Sequence, residues 1–274
     1  MIIAKDISLK IGKSVILKDC NLKIKPGCFT VVVGPNGAGK STLMKTFTGE
    51  LQRYTGTIQI NGKLIKGYNS KELSKIRAVL PQHTIVNFPF SVEQVVEVGR
   101  YAHRTTQATN NKIIEEVLAL TGLSEYRNRL YQTLSGGEKQ RVQMARVMTQ
   151  IHDTSQAPKY LFLDEPTSSL DLAQQQSLLS LAKDLINKNV GVLAILHDLN
   201  LATQFADEIL FLRKGETIAV GKSNEVIKKE IIEKTFNHPV KIISDNGQKI
   251  IIPDIGIHSK SENLNTITYG HINY

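Results

Sequence analysis

The sequence has no long hydrophobic run and very few cysteines, and these two absences narrow the class of protein. No segment approaches the roughly 18–20 consecutive apolar residues that a membrane-spanning helix needs. The two cysteines, Cys20 and Cys28, have a spacing that fits no zinc or redox motif. The first residues lack the basic and apolar regions of a secretory signal. We therefore expect a soluble, cytoplasmic protein whose cysteines are ordinary, partly buried residues.

The chain also lacks a concentrated basic patch, although its net charge is +9, from 34 basic and 25 acidic residues. The densest group of lysines, Lys18, Lys23 and Lys25, has no aromatic residues between its members. An excess of positive charge favours either nucleic acid or anionic lipid headgroups as a neighbour. Because the lysines are scattered, we expect no nucleic-acid partner. A face close to anionic lipid headgroups explains the positive net charge as well as nucleic-acid binding would.

The order of patterns along the 274 residues predicts one continuous α/β unit. Residues 1–33 alternate like strands, and Phe29–Val33 is a continuous β-branched run without alternation, which is typical of a strand buried on both faces of a sheet. Residues from about 91 to 150 have helical spacing. Strands and helices then alternate up to about residue 239. A hairpin around Asn246-Gly247 and a polar, flexible tail from Ser259 are predicted after that.

The glycine-rich segment after Phe29–Val33 matches the phosphate-loop pattern, with a strand before it and a helical pattern after it. Its glycines allow backbone N–H groups to surround phosphates, and the helix N-terminus adds partial positive charge. Lys40 is expected to reach the β- and γ-phosphates of a nucleotide, and the Ser41 hydroxyl to bind Mg²⁺. The predicted nucleotide-binding residues are Gly34, Pro35, Asn36, Gly37, Ala38, Gly39, Lys40, Ser41 and Thr42.

Two adjacent carboxylates, Asp164 and Glu165, follow a second apolar run. Ligands of open α/β sheets bind at the carboxyl ends of the strands, so these acids should face the phosphate loop. Successive residues of a strand point in opposite directions, which predicts different roles. We expect Asp164 to hold Mg²⁺ through water and Glu165 to accept a proton from the attacking water.

The segment Leu134-Ser135-Gly136-Gly137-Glu138-Lys139-Gln140-Arg141 lies between these two motifs, and the combination resembles the ATP-binding cassette (ABC) family. The resemblance covers residues 1 to about 237. It implies an ABC-type phosphate-loop fold: a mixed sheet, an antiparallel β subdomain and a helical subdomain inserted at about 91–150, with residues 238–274 as an extension. It also implies an ATP hydrolase that works as a homodimer, in which Ser135, Gly136 and Gly137 contact the nucleotide held by the other copy.

Further positions match motifs of the family. Gln82 corresponds to the glutamine that senses Mg²⁺ and the γ-phosphate, and His197 to the histidine that contacts the γ-phosphate. The family usually has an aromatic residue stacked on adenine; the aligned residue here is Ile11, which offers apolar contact only. The resemblance therefore implies Glu165, His197 and Lys40 as catalytic residues, and Ser41, Gln82 and Asp164 as metal ligands.

The segments 98–103, 151–159 and 197–202 resemble an import subgroup that serves iron-siderophore, cobalamin and haem uptake, and they are most similar to the haem importers. The implied partners are permease subunits in the membrane and, indirectly, a substrate-binding protein. The implied location is the cytoplasmic face of the inner membrane, with residues 98–103 and the loop 151–159 facing the permease. Ferric siderophore or cobalamin import is the alternative. A soluble ABC ATPase acting on nucleic acid or ribosomes, and a non-ABC phosphate-loop kinase, are alternatives of other classes.

Overall fold

A six-stranded sheet forms the centre of the molecule in the computed structural model, which describes residues 1–82, 84, 86–152, 155–245 and 247–254. Its spatial order is β10-β9-β3-β8-β7-β6, and only β10 runs antiparallel to its neighbour. In chain order, the strands are β3 (Phe29–Val33), β6 (Arg77–Leu80), β7 (Lys159–Asp164), β8 (Val190–Ile195), β9 (Glu208–Arg213) and β10 (Glu216–Lys222).

Apolar residues cover both faces of this sheet. All five residues of β3 are buried, as expected for an unalternated β-branched run in a parallel strand. Val31 and Val33 belong to one hydrophobic cluster, and Val32 belongs to the cluster on the opposite face. The carboxyl ends of β3, β8 and β7 consequently meet at one edge, which a core on both sides holds in place.

A second, four-stranded antiparallel sheet packs over one face, in the order β2-β1-β4-β5. Helix α1 (Lys40–Thr48) contributes Leu43, Met44 and Phe47 to the core between the two sheets. The strands are β1 (Ile2–Ile11), β2 (Ser14–Ile24), β4 (Thr55–Ile60) and β5 (Lys63–Leu64), and the short helix α2 (Ser70–Ile76) precedes β6.

In the described part of the segment between β6 and β7, the chain forms three helices. These are α3 (Val92–Glu97), α4 (Gln107–Leu120) and α5 (Gly136–Ile151), and short 3-10 turns lie at Val98–Arg100, Ser124–Tyr126 and Tyr131–Thr133. Capping boxes begin α3 at Ser91 and α5 at Ser135, and the side chain of Thr106 caps α4. The helical pattern read from the sequence therefore corresponds to three separate helices. Its division from the rest of the chain as a subdomain stays a prediction.

The remaining helices are α6 (Leu172–Ile186), α7 (Leu199–Phe205), α8 (Ser223–Val226) and α9 (Lys229–Phe236). The chain then forms two antiparallel strands, β11 (Val240–Asp245) and β12 (Gln248–Pro253), where the sequence predicted a hairpin. Gly247 has the left-handed φ of +82° that such a turn requires. Asn246 and the tail predicted from Ser259 lie outside the described residues.

Candidate active site

The phosphate-loop lysine is anchored by the loop itself. Lys40 Nζ donates hydrogen bonds to the carbonyl oxygens of Gly34 at 2.8 Å and Pro35 at 3.1 Å. Burial lowers the pKa of Lys40, while the nearby carboxylates Glu165 and Asp164 act in the opposite direction. The ammonium group is therefore held inside the curve of the loop, where an anionic phosphate would relieve its desolvation.

Two glycines of this loop are required by close approach. A Cβ at Gly34 would lie 2.0 Å from the carbonyl oxygen of Leu212 on β9. This is a steric clash with backbone, so the position requires glycine. Gly39 has a φ of +100°, and a Cβ there would lie 2.9 Å from the Ile16 carbonyl oxygen. At Gly37, in contrast, a Cβ would meet no atom within 4 Å. The open side of the loop is thus at Gly37, and its tight side faces the two sheets.

Helix α1 begins directly at the loop without a side-chain cap. Gly39 occupies the N-cap position, no side chain accepts from the first turn, and no acidic residue lies there. The first N–H groups of a helix have no partner within the helix, and the helix dipole favours negative charge beside them. The start of α1 can therefore bind phosphate oxygens.

An acidic group faces Ser41 across the sheet edge. Asp164 is the last residue of β7, and its Oδ1 accepts a hydrogen bond from Ser41 Oγ at 3.1 Å. Burial raises the pKa of Asp164 above its usual value, which the hydrogen bond from Ser41 partly opposes. A divalent cation would compensate the buried carboxylate, and hydroxyl and carboxylate oxygens are ligands that Mg²⁺ prefers. This donor pair fits the magnesium site predicted from the sequence.

Glu165 lies just after β7 and forms the centre of a three-residue cluster. Its Oε2 accepts a hydrogen bond from Gln82 Nε2 at 2.6 Å, and its Oε1 lies 2.6 Å from His197 Nε2. The backbone of Glu165 has a φ of +49°, which is uncommon outside glycine and often occurs at functional sites. The segments that follow β6, β7 and β8 thus bring together the Gln82 amide, the Glu165 carboxylate and the His197 imidazole.

The contact with Glu165 uses the amide nitrogen of Gln82. Metal ligation by this residue, as predicted from the sequence, would use its amide oxygen instead, because Mg²⁺ binds oxygen. Among the residues that the structure describes, no group of three or more His, Cys, Asp or Glu side chains could hold a metal ion. A site built from Ser41, Asp164 and Gln82 therefore depends on phosphate oxygens or water for its other ligands.

Ser135, predicted to contact the nucleotide of another copy, caps helix α5 in this structure. Its Oγ accepts from the Glu138 N–H at 3.3 Å, and its own N–H donates to Glu138 Oε2 at 2.7 Å. Next along the helix, Gly137 approaches α6 so closely that a Cβ would lie 2.4 Å from the side-chain amide of Gln174. Gly136 has open space at the same position. Ser135 and Gly136 are thus exposed, whereas the side-chain amide of Gln174 covers Gly137.

The sequence interpretation missed Gln174 and also Gln140, whose Nε2 donates to the carbonyl oxygen of Pro166 at 3.2 Å. This bond links α5 to the residue that follows Glu165. Gln174 lies outside the motifs identified in the sequence, and although Gln140 lies within the Leu134–Arg141 motif, its partner Pro166 is evident only from the three-dimensional packing.

Ile11, predicted to cover adenine, lies at the end of β1 opposite Ser14 and is 60% exposed. An apolar side chain this exposed is available for contact with a flat ring. Its position relative to a bound nucleotide stays a prediction.

The expectation that residues 98–103 face a membrane subunit is only partly compatible with the structure. Val98 and Tyr101 are exposed, but Gly99, Arg100 and Ala102 are buried. The guanidinium of Arg100 donates to the carbonyl oxygens of Thr149 at 2.8 Å and His152 at 2.5 Å. The positive charge therefore caps the C-terminus of α5, where a helix dipole favours cations.

Fold and site together define a phosphate-loop nucleoside triphosphatase, with the loop, the acidic strand end and the histidine at one edge of a parallel sheet. A sequence model of the ABC transporter family matches residues 17–168, more than half of the chain. The chain belongs to the ABC transporter family, as its ATP-binding and ATP-hydrolysing part, and the family and fold predicted from the sequence are confirmed.

Curated relatives match almost the whole length. The hemin import ATP-binding protein HmuV of Gloeobacter violaceus is 43% identical over 239 residues, which are 86% of this chain and 87% of that protein. The protein of the same name from Rhizobium meliloti is 40% identical, covering 88% and 93% of the two chains. Among solved structures, the dimeric bacterial ABC transporter cassette MJ0796 superposes with a TM-score of 0.69 at 27% identity, covering 81% and 99%.

Proposed function

We propose that this chain is the ATP-hydrolysing subunit of an importer of haem (hemin), and that two copies close on two ATP molecules to drive uptake through a membrane permease. The observation that carries the proposal is the similarity of nearly the whole chain to proteins named for hemin import. Residues 1–237 form the ATPase domain in this proposal, with 91–150 as its helical subdomain, and residues 238–274 form an extension.

We infer a pairing of two copies because the predicted nucleotide contacts come from two different segments of the chain. Lys40, Glu165 and His197 lie at the edge of the central sheet, whereas Ser135 and Gly137 lie at the start of a helix in a different segment. A cassette of the same fold has a dimeric structure, which supports the pairing. In a symmetric dimer, the same two surfaces meet twice, so two equivalent sites form.

In each site, we infer that backbone N–H groups of residues 34–42 and the Lys40 ammonium bind the phosphates. Ser41, Asp164 and Gln82 would hold Mg²⁺, which supplies positive charge against the phosphate oxygens when bound. Ile11 of the same chain would cover the adenine. Ser135, Gly136 and Gly137 of the second copy would complete the phosphate contacts from the other side.

Glu165 acts as the general base in this proposal. Its carboxylate is oriented by Gln82 and His197 and accepts the proton of the attacking water, which is worth typically ~10²–10⁴-fold in rate. His197 then has two functions: it holds the Glu165 carboxylate and reaches toward the γ-phosphate. Because Gln82 follows β6 and lies near the helical segment, its contact with Glu165 connects that segment to the base.

The permease contact is proposed for an exposed apolar surface on the helical segment. Phe88 is 67% exposed and packs on Phe90 with ring centroids 5.8 Å apart, and Tyr101 is 92% exposed. The adjacent rings of Phe88 and Phe90 form an exposed apolar patch, and contiguous patches of this kind are typical of interaction sites. None of the described helices is long and apolar enough to cross a bilayer. We therefore propose a peripheral position at the cytoplasmic face of the inner membrane, with the substrate-binding protein reached only through the permease.

Reconstitution with the permease subunit of a haem importer tests the proposal. The expected result is copurification of the two proteins and ATP-dependent transport of haem into proteoliposomes, with Glu165→Gln as the inactive control. If a ferric siderophore or cobalamin is transported and haem is not, the proposed ATPase role stands and the proposed cargo is wrong. Stimulation by nucleic acid without any permease binding would favour the soluble alternative and contradict the importer.

A further inference from the structure

The C-terminal hairpin packs against the helix that follows His197. Ile251 on β12 is 6% exposed and belongs to the main hydrophobic cluster, and its cross-strand neighbour Ile242 packs against the same cluster. The neighbouring pair, Ile243 and Ile250, faces away and is exposed. One face of the hairpin is therefore a core surface directed at α7 and α9.

A single side chain joins α7 to the hairpin at two points. The Ile251 N–H donates to Asn200 Oδ1 at 2.8 Å, and Asn200 Nδ2 donates to the Ile251 carbonyl oxygen at 3.2 Å. The amide of Asn200 thus pairs with the backbone of β12 in the way that a neighbouring strand would. Two bonds to one rigid residue fix both the position and the rotation of the start of α7.

The same end of α7 carries His197. Asp198 is the N-cap residue, and its Oδ1 accepts from the Asn200 N–H at 2.7 Å and the Leu201 N–H at 3.2 Å. His197 directly precedes Asp198, and its ring contacts Glu165. Helix α7 has only seven residues, too few to be stable without tertiary contacts. A shift at Asn200 would therefore move the His197 ring.

The hairpin is itself held firmly on the other side. Lys249 Nζ donates to the carbonyl oxygens of Asn224 at 2.9 Å and Ile227 at 2.8 Å, which are on and just after α8. The Val240 N–H donates to Glu233 Oε1 on α9 at 3.0 Å. These bonds make the hairpin a fixed support for α7.

We infer that the C-terminal hairpin positions His197 for ATP hydrolysis and that Asn200 is the positioning residue that connects them. The inference rests on the proposed role of His197 and extends it to a segment beyond the residues matched by the family model. The hydrogen bonds that hold Lys40 in the phosphate loop involve no residue of α7 or of the hairpin. The structure therefore predicts an effect on turnover and none on affinity.

The test compares Asn200→Ala with Gln204→Ala in the full-length chain. Gln204 is a matched control: it is exposed on the same helix, and its amide bonds to the Gln176 side chain at 2.9 Å. Misplacement of a catalytic group by about 1 Å can cost up to ~10²-fold, so we expect Asn200→Ala to lower kcat roughly 10-fold. The Kd for ATP should stay unchanged, and Gln204→Ala should keep wild-type kcat.

Two further measurements separate positioning from loss of stability. In a His197→Ala background, Asn200→Ala should lower kcat no further, because Asn200 acts through the His197 ring and substitutions in one coupled network are not additive. In histidine-labelled protein, the ring resonances of His197 should shift in Asn200→Ala and not in Gln204→Ala. If Asn200→Ala fails to fold, Asn200→Asp retains the acceptor for the Ile251 N–H and should give an intermediate kcat.

Equal kcat in the Asn200 and Gln204 variants would overturn the inference, and so would a full additional loss in the His197→Ala background or unchanged His197 resonances. Wild-type hydrolysis by His197→Ala alone would instead refute the proposed role of His197. The two failures are therefore distinguishable.

Discussion

Replacement of Glu165 by glutamine should stop hydrolysis while leaving ATP binding intact. The amide is nearly isosteric with the carboxylate, so Gln82 Nε2 can still donate to the side-chain oxygen at this position. The hydrogen bonds of Lys40 are to the carbonyl oxygens of Gly34 and Pro35, and neither they nor the uncapped start of α1 involve Glu165 side-chain atoms. The substitution therefore removes the proton acceptor and little else.

The expected magnitude follows from the loss of general-base assistance. A ~10²–10⁴-fold decrease in kcat corresponds to about 2.7–5.5 kcal/mol of additional barrier. Phosphate release measures turnover, equilibrium binding of ATP measures affinity, and size-exclusion chromatography with Mg-ATP should show accumulated dimer. Glu72→Gln is the control, because its exposed ion pair with Lys63 at 3.6 Å involves no residue of the site and its loss should leave turnover unchanged. Near-wild-type turnover of Glu165→Gln would show that the base lies elsewhere.

Two other substitutions test separate parts of the structure. Ile11→Tyr should tighten ATP binding by roughly 2–13-fold, because aromatic packing adds ~0.5–1.5 kcal/mol beyond the burial of apolar area. Turnover at saturating ATP should change little. Equal or weaker binding in an equilibrium titration would place Ile11 away from adenine. Arg100→Met should destabilise the fold by on the order of 3 kcal/mol, because two carbonyl oxygens at the end of α5 lose a charged donor. Thermal unfolding should show this loss for Arg100→Met and almost none for the exposed neighbour Arg104→Met, and equal melting temperatures would contradict the capping role.

The sequence predicted those parts of the site whose residues lie close together in the chain or at the ends of recognisable strands. The strand, glycine loop and helix that place Lys40 and Ser41 are continuous in the chain, and parallel strands end at one edge of a sheet. Asp164 could therefore be expected opposite Ser41, and the structure places its carboxylate 3.1 Å from the Ser41 hydroxyl.

The parts that could not be predicted depend on packing between distant segments. The strand order β3-β8-β7, which brings His197 beside Glu165, is a property of the sheet and has no local signal. The role of Arg100 could not be predicted either. Helical spacing indicates which face of a helix is buried, but it does not indicate that Arg100 caps the C-terminus of α5. Asn200 is a further case: its partner lies 51 residues away, in a hairpin whose purpose no motif suggests.

Mixing two defective variants tests most directly whether two copies share each site. One chain carries Ser135→Arg and the other Lys40→Ala, with different affinity tags so that hybrid dimers can be isolated and counted. A hybrid has one site with Lys40 and Ser135 both intact and one site with both lost. Hydrolysis should therefore rise from near zero to at most about a quarter of wild type in a random mixture, where half of the dimers are hybrids. Hybrid dimers that form and yet hydrolyse no more ATP than either variant alone would contradict the shared site.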